Sequence, residues 1–320
     1  MNEPRQRVAI ARVLLPAGRE PLERRFDLVE GGLDAGREQV LKLVQGAAAI
    51  VADPTVAVDG ELLDAAGDQL RVVSNFAVGY DNVDVDACAQ RGVAVTNTPD
   101  VLTQATAELA LTLTLAAARR TSDAERDLRA GRWTGWDPAA YRGLELRGAT
   151  VGVIGLGRIG GRYAEMVRAL GADVVYAGQA TKPEYERELG ARHLHLDELL
   201  QAASVVSLHA RASAENHHLI GRRELDLLGP GGVLVNTGRG SLVDSDALAS
   251  ALQDGTLGAA GLDVYEDEPH VPDQLLDAPR CVLLPHIGSA SITSRDAMAH
   301  LAAENVIAVL DGRDPPSRVA

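Results

Sequence analysis

Short apolar runs rich in Val, Ile and Ala alternate with amphipathic stretches along most of this chain. In the first hundred residues "RVAIARVLL" (7–15), "FDLVE" (26–30), "AAAIVA" (47–52), "LRVVSN" (70–75) and "VAVTN" (93–97) predict β-strands. Helical patterns lie between them over 35–45, 59–66 and 84–90. Strands apolar at consecutive positions and separated by helices predict parallel sheets covered on both faces, an α/β fold. Residues 101–120, "VLTQATAELALTLTLAAARR", predict a long apolar helix whose closing arginine pair suits the negative end of its dipole. The next stretch, "SDAERDLRAGRWTGWDPAAYRGLELRG" (122–148), reads as an irregular arm holding both tryptophans, Trp133 and Trp136. The alternation restarts at 149 and continues through "DVVYA", "SVVSLHA", "GGVLVNTG", "GAAGLDV" and "CVLLPH" to a last helix over 291–311.

The strongest local signal is "VGVIGLGRIGGRYAEMVRALGA" (151–172), an apolar strand, a glycine turn and a helix. Gly155 permits a tight turn, Gly157 lets a pyrophosphate approach the backbone, and Gly160 lets the helix pack on the strand. The whole turn, with Leu156, Arg158 and Ile159, opens a helix whose free N–H groups and positive dipole end favour phosphates. A dinucleotide site is predicted there. The strand "ADVVYA" should then end beside the adenosine ribose, where an Asp or Glu would hold both hydroxyls and repel a 2′-phosphate. Gly178, Gln179, Thr181 and Lys182 stand there instead. Lys182, one of two lysines with Lys42, reaches a 2′-phosphate as a point charge or is a solvated turn residue. The missing carboxylate favours NADPH and leaves NADH possible.

Composition narrows the classes. The 320 residues are long enough for two domains, with 46% hydrophobic and 24% charged residues. A net charge of −14 opposes a phosphate-backbone footprint, so no nucleic-acid partner is expected. Cys88 and Cys281 are too few for a disulfide framework, and no metal site is predicted. "MNEPRQRVAIARVLLP" reads as a first strand rather than a signal peptide, and no apolar stretch approaches the roughly 18 residues of a membrane span. The expectation is a cytoplasmic protein without a membrane partner.

Three polar residues follow apolar strands: Arg239 in "VLVNTGRGSLVD", Glu268 in "AGLDVYEDEP" and His286 in "VLLPHIGSA". Ligands of open α/β sheets bind at carboxyl ends of strands, so the three can converge. A guanidinium grips a carboxylate, a histidine moves a proton, and a glutamate orients the histidine and favours its charged form. Singly, each has a plainer reading as a surface arginine, one acid among several, or a turn histidine. Their convergence is what points to chemistry.

The glycine turn, "NTGRG", "GLDVYEDEP" and "PHIGSA", in this order, resemble the D-isomer-specific 2-hydroxyacid dehydrogenase family over about residues 45–312. "NFAVGYDN", "NTPDVLT" and "LPHIGSA" look most like glyoxylate/hydroxypyruvate reductases. The resemblance implies two Rossmann-like or flavodoxin-like lobes, with a cofactor lobe (99–288) inserted into a substrate lobe (1–98 plus 289–320). It implies Arg239 as substrate binder, His286 as acid/base and Glu268 as its partner, with backbone N–H groups at Val78 and Gly79 holding the substrate carboxylate. Asp263 and the backbone around Thr237 would face the nicotinamide amide, Thr106 the cofactor phosphates, and His209 and Gly288 would also line the cofactor. The family's Pro-Leu-Thr run after "SLH" is replaced by "HARAS" (209–213), a departure on the adenine side. His193, His195, His217 and His218 carry no role from the resemblance and read as surface or packing residues.

The implied activity is reduction of a small 2-oxo acid to the D-2-hydroxy acid by a homodimer built on the 101–120 helix and the tryptophan arm. Two alternatives share the fold: a phosphite dehydrogenase-like oxidoreductase and a non-catalytic NAD-sensing interaction module.

Overall fold

The structure, a computed structural model, describes residues 5–320. It divides into two compact units, one formed by the chain up to Leu102 with Ser289–Ala320, the other by Thr103–Gly288. The first unit begins β1 (Arg7–Ile10), α1 (Pro16–Arg25), β2 (Asp27–Glu30), α2 (Arg37–Leu43), β3 (Ala49–Ala52), α3 (Gly60–Ala66), β4 (Val72–Asn75), α4 (Val85–Gln90) and β5 (Ala94–Thr96). The second unit runs α5 (Thr103–Ala118), α6 (Thr121–Arg129), β6 (Thr150–Ile154), α7 (Arg158–Ala169), β7 (Asp173–Ala177), α8 (Pro183–Leu189), β8 (Arg192–His193) and α9 (Leu196–Ala202). It continues with β9 (Val205–Leu208), α10 (Arg222–Leu228), β10 (Val233–Asn236), α11 (Ser245–Asp254), β11 (Ala259–Leu262), α12 (Asp273–Leu276) and β12 (Cys281–Leu283). The chain then returns to the first unit as α13 (Ile292–Leu310).

Both sheets are parallel throughout, in the orders β2-β1-β3-β4-β5 and β12-β11-β10-β9-β6-β7-β8. Each order reverses once, the signature of doubly wound α/β folds, whose ligands sit beyond the carboxyl ends of the strands at that switch. In the second sheet the switch lies between β6 and β9, where Val151 pairs with Val174 on one side and Val205 on the other. The strands β3, β4, β9 and β10 are buried at every position, as expected when helices cover both faces. In the first unit α13 lays Ala299, Ala302, Ala303 and Val306 against Val8, Ile10, Leu22 and Val72.

Two local expectations are corrected. The first strand stops at Ile10 rather than 15, because Pro16 opens α1. That helix escaped the periodicity because it buries only Gly18 and Leu22. Residues 121–129 of the expected irregular arm are helical in α6, which buries nothing and is laced by Arg129–Glu125 and Arg126–Asp123 pairs. The apolar α5 spends its surplus inside its own unit: Ala107, Ala110, Leu113 and Ala117 pack among Val151, Val153, Tyr163 and Val235. Both cysteines are free and buried, and burial pushes the Cys88 thiol up to about 11. Among the described residues no helix is long and apolar enough to cross a membrane, and no cluster of His, Cys, Asp and Glu could hold a metal ion.

Candidate active site

The glycine turn has the geometry its residues demand. Gly155 has φ +92°, a conformation L side chains rarely adopt, and a Cβ there would lie 2.6 Å from Ala210 N. A Cβ on Gly160 would lie 2.3 Å from the Gly155 carbonyl oxygen, so α7 closes directly onto the turn. At Gly157, the N-cap of α7, a Cβ would meet nothing within 4 Å, and no side chain caps the helix. Open space before an uncapped twelve-residue helix is what a pyrophosphate needs. The Thr237 hydroxyl is buried without a hydrogen-bond partner among the described residues, a second polar group awaiting a ligand. These features fit a dinucleotide.

The loop after β7 carries Gly178, Gln179 and Thr181 exposed, and no carboxylate stands between 178 and 181. It is pinned from behind: Lys182 N–H donates to Tyr176 Oη at 2.7 Å, and His193 Nε2 meets Gly178 O at 3.1 Å. His209 is placed differently from a cofactor contact through its ring. The ring is sealed in, with Nε2 2.9 Å from Ser207 Oγ, no partner on Nδ1 among the described residues, and Tyr163 alongside. Burial pushes its pKa down to about 3, so the imidazole is neutral. Its backbone, not its ring, borders the glycine turn.

Arg239, Glu268 and His286 are brought together by three loops that follow β10, β11 and β12. His286 Nδ1 lies 2.6 Å from Glu268 Oε2, and the other Glu268 oxygen accepts the Tyr265 N–H at 3.0 Å. Burial alone would push the Glu268 carboxyl up. The hydrogen bond from His286, the Tyr265 N–H and the charges of His286 and Arg239 outweigh it and hold the carboxyl below its ordinary range. Arg239 Nη1 donates to Gly238 O at 2.8 Å.

His286 occupies a left-handed backbone conformation, φ +53°, uncommon for a residue with a side chain. Asp263 holds it there. Its backbone carbonyl accepts the His286 N–H at 2.9 Å, and its carboxylate accepts those of Ile287 at 2.8 Å and Gly288 at 2.7 Å. Burial raises the Asp263 pKa, partly offset by those N–H groups and the His286 charge. Both carboxylate oxygens are thus engaged within the turn, a clamping role that the nicotinamide assignment from the resemblance did not include. Thr106 and Gly288 lie side by side: a Cβ on Gly288 would be 3.4 Å from Thr106 Cγ2 and 3.2 Å from Asp263 Oδ2. Val78 and Gly79 belong to the other unit, in a partly exposed loop after β4.

Three supporting residues escaped the reading of the chain. Asn236 closes β10, donating to Arg239 O at 2.8 Å and accepting the Gly238 N–H at 3.0 Å. Tyr265 Oη donates to Leu284 O at 2.9 Å, tying the Glu268 loop to β12. Gly240 packs on backbone: a Cβ there would sit 1.9 Å from the Tyr265 carbonyl carbon. Their signal was a polar residue ending an apolar strand and a second glycine beside Arg239. His218 also has a partner, Glu266 Oε1 at 2.6 Å.

A nucleotide-binding glycine turn beside a His–Glu pair and an arginine defines a pyridine-nucleotide oxidoreductase. Residues 111–288 match the NAD binding domain of the D-isomer specific 2-hydroxyacid dehydrogenases. The chain is 42% identical over 322 residues to the glyoxylate reductase of Aeropyrum pernix, covering 98% of this chain and 96% of that one. It is 40% identical over 319 residues to that of Thermococcus onnurineus, covering 98% and 95%. Among solved structures, the NADPH-dependent glyoxylate/hydroxypyruvate reductase of Sinorhizobium meliloti, in complex with NADP and malonate, superposes with a TM-score of 0.85 at 36% identity, covering 99% of this chain and 97% of that one. A Thermus thermophilus protein gives a TM-score of 0.92 at 42% identity, covering 98% and 100%. The chain belongs to the D-isomer specific 2-hydroxyacid dehydrogenase family and is an enzyme of that class.

Gly240→Ala is expected to force the Arg239 and Glu268 loops apart. It should cost about 1–3 kcal/mol in stability by thermal denaturation, with a larger proportional loss of turnover than of cofactor binding.

Proposed function

We propose that this enzyme reduces a small 2-oxo acid of the glyoxylate or hydroxypyruvate kind, with NADPH preferred over NADH. The observation that carries the reading is the 2.6 Å His286–Glu268 contact. Because Glu268 engages Nδ1, Nε2 is the nitrogen left to give a proton to the substrate's carbonyl oxygen. The glutamate holds the imidazole oriented for that transfer. Arg239 holds the substrate and counters charge developing on the oxygen, and the N–H groups of Val78 and Gly79 are donors for the substrate carboxylate. When bound, the reduced nicotinamide supplies the hydride for the carbonyl carbon. Thr106, Thr237, Asp263 and Gly288 line its site in this reading.

The NADPH preference is supported by the loop after β7. It offers no carboxylate to repel a 2′-phosphate, and Lys182 stands at its end. The same preference is named for the Sinorhizobium reductase. A twofold dimer is supported by Leu128 at 58%, Trp133 at 60% and Trp136 at 85% exposure, one aliphatic and two aromatic side chains that one chain leaves uncovered. The α5 helix contributes less than its composition suggests, since Leu115 is its one exposed leucine, with Leu109 and Leu111 half-buried.

NADPH oxidation with glyoxylate, hydroxypyruvate, pyruvate, 2-ketogluconate and, in reverse, phosphite tests the assignment; turnover on no 2-oxo acid would remove it. His286→Asn should leave NADPH binding intact and cut turnover by about 10²–10⁴, read by steady-state kinetics and cofactor fluorescence. Gln179→Asp should weaken NADPH by roughly 1–3 kcal/mol and improve NADH modestly, seen in the cofactor KM. Sedimentation at micromolar concentration should give a dimer, and Trp136→Ala should shift it toward monomer.

A further inference from the structure

The loop after β4, "FAVGYDN" (76–82), has three successive carbonyls taken up from the interior of its own unit. Thr98 N–H donates to Ala77 O at 2.8 Å, Asn97 Nδ2 to Val78 O at 2.8 Å, and Asn75 Nδ2 to Gly79 O at 2.7 Å. Among the described residues the one cis peptide is Glu268–Pro269, so the peptides of this loop are trans. In a trans peptide the N–H points opposite to the C=O. Residues 97 and 98 draw in the carbonyls of Ala77 and Val78, and thereby turn the N–H groups of Val78 and Gly79 away from the end of β5. Neither N–H has an acceptor among the described residues, and both residues are partly exposed. Adjacent N–H groups facing one way form an anion-binding concavity.

We infer that Asn97 is a positioning residue, which together with the Thr98 N–H pre-organises the Val78–Gly79 N–H pair for the substrate carboxylate. The inference rests on the proposed reading that this pair receives that carboxylate. Asn97 does not touch substrate; it acts through the carbonyl it holds. The amide is the right group for the task. It donates to the carbonyl without bringing a charge that would compete for the anion.

Asn97 is itself immobilised, which gives the arrangement its depth. Its N–H donates to Ser317 O at 3.2 Å, and its carbonyl accepts Ser317 Oγ at 2.6 Å and Asn305 Nδ2 at 3.2 Å. Ser317 N–H in turn donates to Asn305 Oδ1 at 3.1 Å. The segment carrying Ser317 lies antiparallel to β5, with Thr96 opposite Arg318 and Val319 N–H donating to Val95 O at 2.7 Å. Asn75 is backed by Asn82, whose Nδ2 lies 3.1 Å from Asn75 Oδ1 and also reaches Asp53 O and Val56 O at 3.0 and 2.9 Å. Hydrogen bonds thus run from α13 and the chain's last residues, through Asn97, to the N–H pair. Donors fixed in advance need no reorganisation when the anion arrives.

The test is Asn97→Asp, which keeps the shape and sets a carboxylate oxygen against the Val78 carbonyl. At saturating NADPH, the glyoxylate KM and the inhibition constant of oxalate, an unreactive dicarboxylate, should rise together by about ten- to hundredfold. The NADPH KM should stay within about twofold, because uniform loss of carboxylate binding leaves the cofactor untouched. Ser317→Ala, acting one bond further back, should raise the same two constants by about two- to fivefold. A folded Asn97→Asp enzyme with unchanged glyoxylate and oxalate constants, or one that loses kcat alone, would overturn the inference. Should that variant not fold, Ser317→Ala carries the test with its smaller rise, and unchanged glyoxylate and oxalate constants in it would overturn the inference equally. If the wild-type enzyme turns over no 2-oxo acid, the functional reading fails. Oxalate affinity by calorimetry, compared between wild type and Asn97→Asp, still decides the positioning role.

Discussion

Asp263 accepts the N–H groups of His286, Ile287 and Gly288 in succession, the first through its backbone carbonyl and the others through its two carboxylate oxygens. The chemistry-bearing end of the second unit depends on this one staple. A left-handed backbone at a histidine is costly in isolation and persists where surrounding bonds over-determine it. With the turn fixed, Nδ1 of His286 falls on Glu268, and Tyr265 closes the Glu268 loop onto β12. Burial of the Asp263 carboxyl, which raises its pKa, is the cost of that rigidity.

Much of this was legible along the chain, and the residues that were not share a physical reason. Val-rich runs fixed by consecutive apolar positions gave the parallel strands, and Gly155, Gly157 and Gly160 announced their backbone roles because a turn, an approach and a packing contact each exclude a side chain. Arg239, Glu268 and His286 were visible as polar residues following apolar strands. Asp263 was assigned to the nicotinamide amide, and nothing local adds that its oxygens also clamp main chain twenty-odd residues later. His209 was assigned to the cofactor lining with no signal for its ring, which Ser207 and Tyr163 draw inward. The polar α6 and the weakly buried α1 lacked an apolar stripe altogether. The asparagines are the instructive case: Asn75, Asn97 and Asn236 each follow a run of buried strand residues, and each holds a loop carbonyl. The sequence shows an amide at each strand end; Asn75 and Asn236 capture carbonyls of their own loops, while Asn97 captures one from the loop of the neighbouring β4.

The ligands proposed here are anions, yet the chain carries a net charge of −14. Long-range attraction therefore does little to gather them. Recognition is left to short-range groups with fixed directions: the open end of α7, the Arg239 guanidinium and main-chain N–H groups. These act at contact distance and are screened less by salt than a diffuse surface potential would be.

The path of the chain has a consequence for how the protein is made. The second unit is one continuous stretch and owns every residue of its core. The first unit has its sheet by residue 96, but the helix that seals one face of it, with Ala299, Ala302 and Val306, is synthesised some two hundred residues later. During translation the inserted unit has its whole sequence available first, while the older sheet waits with Val8, Ile10 and Val72 uncovered. Collapse of the inserted unit shortens the span between residue 102 and residue 289, which lowers the entropy cost of bringing the last helix home. Nascent chains stalled before that helix emerges would thus be the aggregation-prone species, and the ones on which holding chaperones act.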